Sequence, residues 1–207
     1  MKIKNLISEQ ARKNIEECIR DIETHTNGEL VPMIVGASDT YAAASWRCAL
    51  AFGLFMTGLF YSLNPHFDFL IYLSLEIPLI LLGLFLVQIP CIKRFFLTRS
   101  EIDEEVYQRA IQAFYENKLH HTENRTGILI FVSYLEHRAL ILADTGINKV
   151  VPEGTWDSIL AKIIEAMKCG KIEEGFCEAI QSCGRILKKS FPAEKTPNEL
   201  SNKFVVE

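Results

Sequence analysis

Residues 42–92 read AAASWRCALAFGLFMTGLFYSLNPHFDFLIYLSLEIPLILLGLFLVQIPCI. Between Cys48 and Ile92 the charged side chains are Asp68 and Glu76 alone, with His66 counted neutral. Two apolar runs, 42–63 and 67–92, are each close to the ~20 residues that carry a helix across ~30 Å of hydrocarbon. Asn64-Pro65 marks a turn between them. A soluble reading would need a domain large enough to wrap two helices that are apolar all round. The rest of this 207-residue chain is too small for that. The stretch therefore predicts a transmembrane helical hairpin.

The basic residues orient it. Arg47 precedes the first helix, and Lys93, Arg94 and Arg99 follow the second, while the connecting loop carries no Lys or Arg. Both flanks are expected in the cytoplasm. Glu76, several residues inside the second helix, is costly in hydrocarbon and so marks either a functional position or a protonated or hydrogen-bonded Glu that faces the first helix near Thr57 or Tyr61.

Outward from the hairpin, the chain is polar and patterned as a soluble domain. Ser8 caps a first helix to about Thr24, with Ile15, Ile19 and Ile22 on its apolar stripe. Glu29 to Val35 reads as a strand, and Pro32 argues for an edge or a bulge. After the hairpin, Ser100 is expected to cap a helix to about His121, where His120-His121 would face the negative helix end. Gly127–Ser133 and 137–143 read as paired strands. A helix over 155–168 follows, with Trp156 expected in the core and Gly170 as its stop. A last helix spans 172–189 with Phe176, Ile180, Cys183 and Leu187 inward, and the tail from Pro192 reads as loose. The predicted organisation is a first domain part (1–41), the hairpin (42–96), a second domain part (97–190) and a flexible tail (191–207). The fold class is α/β: a small sheet packed with helices, interrupted by the hairpin.

Composition excludes several functions. A net charge of -4 gives no electrostatic case for nucleic acid. The first ten residues lack the apolar core of a cleaved signal peptide. The six cysteines form no C-x-x-C pair and read as small core hydrophobes in a reducing compartment. There is no P-loop, G-x-G-x-x-G, nucleophile elbow or H-E-x-x-H. Asn124-Arg125-Thr126 matches a glycosylation sequon, inert if cytoplasmic.

Glu29, Asp39, Glu136, Arg138 and Asp144 fall at or just beyond strand ends, where open sheets bind ligands. Glu29, Asp39, Glu136 and Asp144 are candidate ligands for Ca2+, which takes several hard oxygens. Asp144-Thr145-Gly146 matches the D-T-G of retroviral-type aspartic proteases. As a turn, it would use Gly146 for a positive φ.

These segments resemble the TPM domain family, which includes thylakoid-lumen phosphatase-like proteins and many bacterial membrane proteins. The resemblance rests on Asn27-Gly28-Glu29-Leu30-Val31, on Arg125 to Ser133, on Glu136-His137-Arg138 and on Leu142 to Ile147. Val151-Pro152 with Trp156, Gly175-Phe176, Ala179-Ile180 and Cys183-Gly184 extend it. It covers roughly 8–40 and 100–190. It implies a compact α/β sandwich in a bacterial inner-membrane protein. For function it implies either an accessory module that binds a membrane or membrane-associated protein, or a Ca2+-dependent acid phosphatase-like hydrolase. No catalytic residue is identified, because no nucleophile stands beside a base in sequence.

Overall fold

The computed structural model describes residues 7–152, 154–193 and 200–207. They divide into two compact units, Met1–Ser38 with Glu104–Glu207, and Asp39–Asp103. Among the described residues there are eight α-helices and a four-stranded sheet.

In the first unit, Ser8 caps α1 (Glu9–Glu23) by accepting a bond from Ala11 N. The sheet has the order β3-β2-β1-β4, from β1 (Glu29–Val35), β2 (Gly127–Ser133), β3 (Arg138–Ala143) and β4 (Val205–Val206). β1 runs parallel to β2 and to β4, and β2 runs antiparallel to β3. Every residue of β1 and β2 is buried, so their apolar runs show no alternation. Leu30, Ile34, Ile128, Ile130 and Val132 join the main core with Ile15 and Ile19 of α1. Ile159, Ile163 and Met167 of α7 (Asp157–Lys168) belong to it, as do Phe176, Ile180, Cys183 and Leu187 of α8 (Ile172–Ser190). Val31, Met33, Leu129 and Phe131 alternate onto the opposite face. Val106, Ala110 and Ala113 are also buried, outside the main core cluster.

Pro32 lies in a strand with a neighbour on each side, where an edge or a bulge was expected. β4 pairs only Met33 and Ile34. Gly36 N and Ile34 O bond Glu207 on that side, so by alternation the backbone of Pro32 points the same way. The missing N–H therefore falls where β4 does not reach. Leu30 N, which also points there, donates to Glu23 Oε1 at 3.1 Å.

The tail expectation is corrected by β4 itself. Phe204 is fully buried and packs edge-on against Phe176, with centroids 4.9 Å apart. Residues 194–199, within the tail read as loose, lie outside the described residues. Trp156 is half-buried against the core rather than enclosed by it. Gly170 stops α7 with a φ of 73° while Lys171 N bonds Ala166 O, a Schellman-type end. Cys183 is buried, and burial pushes its thiol up to about 12, but Cys91 and Cys169 are exposed, against the expectation of core cysteines.

In the second unit, α2 (Ala42–Leu63) and α3 (Phe69–Leu86) form the hairpin. A Cβ on Gly83 would lie 2.8 Å from Ala49 Cα, so glycine permits this approach of the two backbones. The second apolar run does not make one helix. α3 ends at Leu86, and Pro90 starts a separate short helix, α4 (Pro90–Phe95). The N-terminal cap of the next helix, α5 (Arg99–Glu116), is also displaced from expectation. Ser100 lies inside it, and Thr98 makes the capping box instead: Thr98 N donates to Glu101 Oε2 at 3.0 Å and Glu101 N to Thr98 Oγ1 at 3.3 Å. Arg47 forks onto both oxygens of Glu101 at 2.9 and 2.7 Å. That pairing, with the Thr98 bonds, draws the Glu101 carboxyl down to about 2.

Both hairpin helices are long and apolar enough to cross a membrane by length and composition. Only 22% and 11% of their apolar windows are buried by the protein itself. Leu54, Phe55, Phe69, Leu70, Leu81 and Phe85 are each 61–74% exposed. A core helix of a soluble domain would be mostly covered.

Candidate functional site

The register of the sheet decides which candidate carboxylates meet. Glu29 pairs with Gly127 at the start of β1 and β2, and Asp144 N bonds Gly127 O from the end of β3. These two belong to one end of the sheet. Glu136 lies in the β2–β3 turn beside Ser133, at the other end, seven residues of strand away. That is roughly 20 Å. Asp39 belongs to the hairpin unit. The structure thus does not bring Glu29, Glu136 and Asp144 together. Among the described residues there is no group of three or more His, Cys, Asp or Glu able to hold a metal. Ca2+ takes six to eight oxygens, so the set does not fit as one Ca2+ site.

Three of these carboxylates, Asp39, Glu136 and Asp144, have a local task. Asp39 Oδ2 accepts from Tyr41 N at 2.7 Å, an Asx-type turn into α2 with Tyr41 in the left-handed region. Glu136 is 2% exposed; it accepts from Ser38 N at 2.8 Å and from the Ser133 hydroxyl. Ser38 Oγ donates to Ser133 Oγ at 2.9 Å. This Ser38–Ser133–Glu136 network was not legible in sequence, because its members lie 95 and 98 residues apart across the hairpin. Ser133 and Glu136 are both buried, so the network ties the loop after β1 to the β2–β3 turn.

Asp144 caps a one-turn helix, α6 (Thr145–Asn148), with Oδ1 accepting from Thr145 N at 2.6 Å. Its buried Oδ2 has no hydrogen bond and lies 3.5 Å from the Arg125 guanidinium. Gly146 does not supply a positive φ, as expected from sequence; the positive-φ glycines are Gly154 and Gly170. It is needed for closeness instead. A Cβ there would sit 2.4 Å from Asn124 O and 2.6 Å from Arg125 O. Gly146→Ala should therefore destabilise the domain by roughly 1–3 kcal/mol through overpacking, read by denaturant unfolding. An unchanged midpoint would show that the 122–125 loop yields freely.

At the Glu29 end a second carboxyl was missed. Glu23, the last residue of α1, is half-buried with its Oε2 enclosed, its Oε1 on Leu30 N and Glu29 beside it. Burial, then the Glu29 charge, push it up to about 8, against the lowering effect of the Leu30 bond. The sequence signal was weak: an amphipathic helix end three residues before a turn.

The remaining candidates are settled by placement. His120 and His121 sit in a separate 3-10 turn (Leu119–His121), not at the end of α5, with rings 4.1 Å apart. Burial and the charge of His121 hold His120 below the usual histidine range. Of the two neighbours expected for Glu76, Thr57 meets it: Thr57 Oγ1 donates to Glu76 Oε2 at 2.6 Å. Tyr61 packs edge-on against Tyr72 instead, 5.3 Å away. Gly53 makes room, since a Cβ there would meet Glu76 Oε1 at 2.8 Å.

A solved structure, that of BA42 protein from the psychrophilic bacterium Bizionia argentinensis, shares the fold with a TM-score of 0.61. It is 22% identical, with 97% of this chain and 95% of that chain covered. No curated protein gives a significant match. The family model described as TPM domain matches residues 92–186, which include β2, β3, α7 and most of α8. β1, outside that match, pairs with β2 along its whole length. The family-model match thus marks residues 92–186 as a TPM domain, while the solved structure shares the fold over nearly the whole chain.

Proposed function

We propose that this protein is anchored in a membrane by the α2–α3 hairpin, with both flanks on the cytoplasmic side. Its TPM domain then acts as a non-catalytic module for a membrane or membrane-associated protein partner. The observation that carries the anchoring is the exposure of the hairpin's apolar side chains among the described residues. Orientation rests on Arg47, Lys93, Arg94 and Arg99 against a loop without Lys or Arg. In a bacterial inner membrane, reporter fusions after Asn64 and at Glu207 should report opposite sides. A C-terminal fusion active only outside the cytoplasm would overturn the orientation.

The accessory role is supported by the use of Asp39, Glu136 and Asp144 inside the fold, where they serve turns and strand ends. A pull-down from detergent with the hairpin intact tests it. A Ca2+-dependent phosphatase-like hydrolase has one observation in its favour, the buried Asp144 Oδ2 with no hydrogen bond. Calorimetric titration of Ca2+ into the full chain in detergent separates the readings. The accessory reading expects no Ca2+ heat that depends on Asp144. Binding in the wild type that vanishes in Asp144→Asn, with the unfolding temperature in Ca2+-free buffer unchanged, would favour the hydrolase.

A further inference from the structure

The hairpin unit contains an apolar cavity of about 370 Å3, within the size range of ligand pockets. Cys48, Phe52, Phe55, Gly83, Leu86 and Phe96 wall it. It lies at the end of the hairpin where α3 gives way to α4. α4 is short and carries Lys93 and Arg94 in its last turn, followed by Phe95, which is 83% exposed. An apolar ring on show beside two cations is the pattern of an interfacial segment. From Ile89 to Arg99 the chain holds Lys93, Arg94 and Arg99 and no acid. Lys93 is held by the Thr40 carbonyl and lies 5.9 Å from the Tyr41 ring centre, neither of which neutralises its charge.

We infer that this cavity holds one acyl chain of an anionic phospholipid, whose phosphate rests on Lys93 and Arg94. An apolar slot beside a basic turn, at the depth where headgroup meets hydrocarbon, matches both halves of such a lipid. A zwitterionic lipid of the same chains fills the slot but gains less from the cations. The site rests on the membrane reading above. It gives the anchor a preference for anionic leaflet lipids.

The test begins with flotation of the full chain on liposomes. Failure to float would sink the membrane reading and this one with it. A chain that floats is then reconstituted with equal dioleoyl-phosphatidylglycerol and dioleoyl-phosphatidylcholine, extracted in mild detergent, and its retained lipid counted by native mass spectrometry. One phosphatidylglycerol should remain in excess, by roughly fivefold for each basic residue engaged. Ala51→Trp, which fills the cavity from α2, should abolish retention, whereas Leu54→Trp on the exposed face should not. Lys93→Gln with Arg94→Gln, both outside the apolar wall, should keep the lipid count and lose the preference. Equal retention of the two lipids by the wild type would overturn the inference even though the chain floats. So would identical retention by the two tryptophan variants.

Discussion

Phe204→Ala should lower the unfolding free energy by roughly 3–5 kcal/mol, the range for deleting a fully buried phenylalanine. Phe204 is the largest side chain contributed by the last eight residues, and its ring has no solvent exposure. It leans on Phe176 of α8, and its backbone N–H donates to Glu16 Oε1 of α1 at 3.2 Å. The neighbouring Val205 and Val206 pair with Met33 and Ile34, and Glu207 bonds the backbone at both Ile34 and Gly36. Arg109 of α5 forms an ion pair with the Glu207 side chain. Removing the ring therefore leaves a cavity and also loosens the strand that closes one edge of the sheet. Denaturant unfolding of the full chain in micelles measures the loss, with the half-exposed Val206→Ala as the milder comparison. A loss below about 1 kcal/mol for Phe204→Ala would show that the C-terminal strand is not part of the cooperative unit.

Glu23→Gln should stabilise the protein at pH 8 and leave it nearly unchanged near pH 4.5. The Glu23 carboxyl is raised to about 8 by burial and by Glu29 beside it. Unfolded, it titrates near its ordinary value of 4.5. Between those two values the folded state holds a proton that the unfolded state has released. Stability therefore falls as pH rises through this window and levels off above about 8. The full effect is on the order of a few kcal/mol. Glutamine keeps an oxygen for Leu30 N and presents an NH2 to Glu29, so the cost disappears without losing the bond that covers the edge of β1. Unfolding midpoints of wild type and variant between pH 4.5 and 8.5 should diverge with rising pH. Parallel curves would show that Glu23 is ionised in the folded protein.

Strand β2 and helices α1 and α8 were placed from sequence within a residue or so, because their signals are local. Ser8 is a capping residue with an apolar stripe behind it, and Gly127–Ser133 is a run of apolar and β-branched residues. Boundaries moved where two local signals competed. Ser100 and Thr98 can both start a helix, and Glu101 decides for Thr98 by bonding back to it. Pro90 divides an apolar run whose hydrophobicity alone reads as continuous. Gly146 shows the limit from another side. Its type was recognised as necessary, but the reason was assigned to conformation when it is contact with Asn124 and Arg125.

The sequence by itself determined the hairpin's two helices and the apolar faces of the soluble unit, since both follow from the period and extent of hydrophobic residues. It determined the TPM motifs too, which are local runs. Only the tertiary structure decided that β1 pairs with a strand nearly a hundred residues later. Only it showed that Phe204 and Val205-Val206 complete the sheet, and that the candidate carboxylates lie at opposite ends of it. The physical reason is that strand pairing joins residues far apart in the chain through backbone hydrogen bonds available to almost any side chain. Register, and with it the meeting of side chains, is fixed by the packing of the whole core.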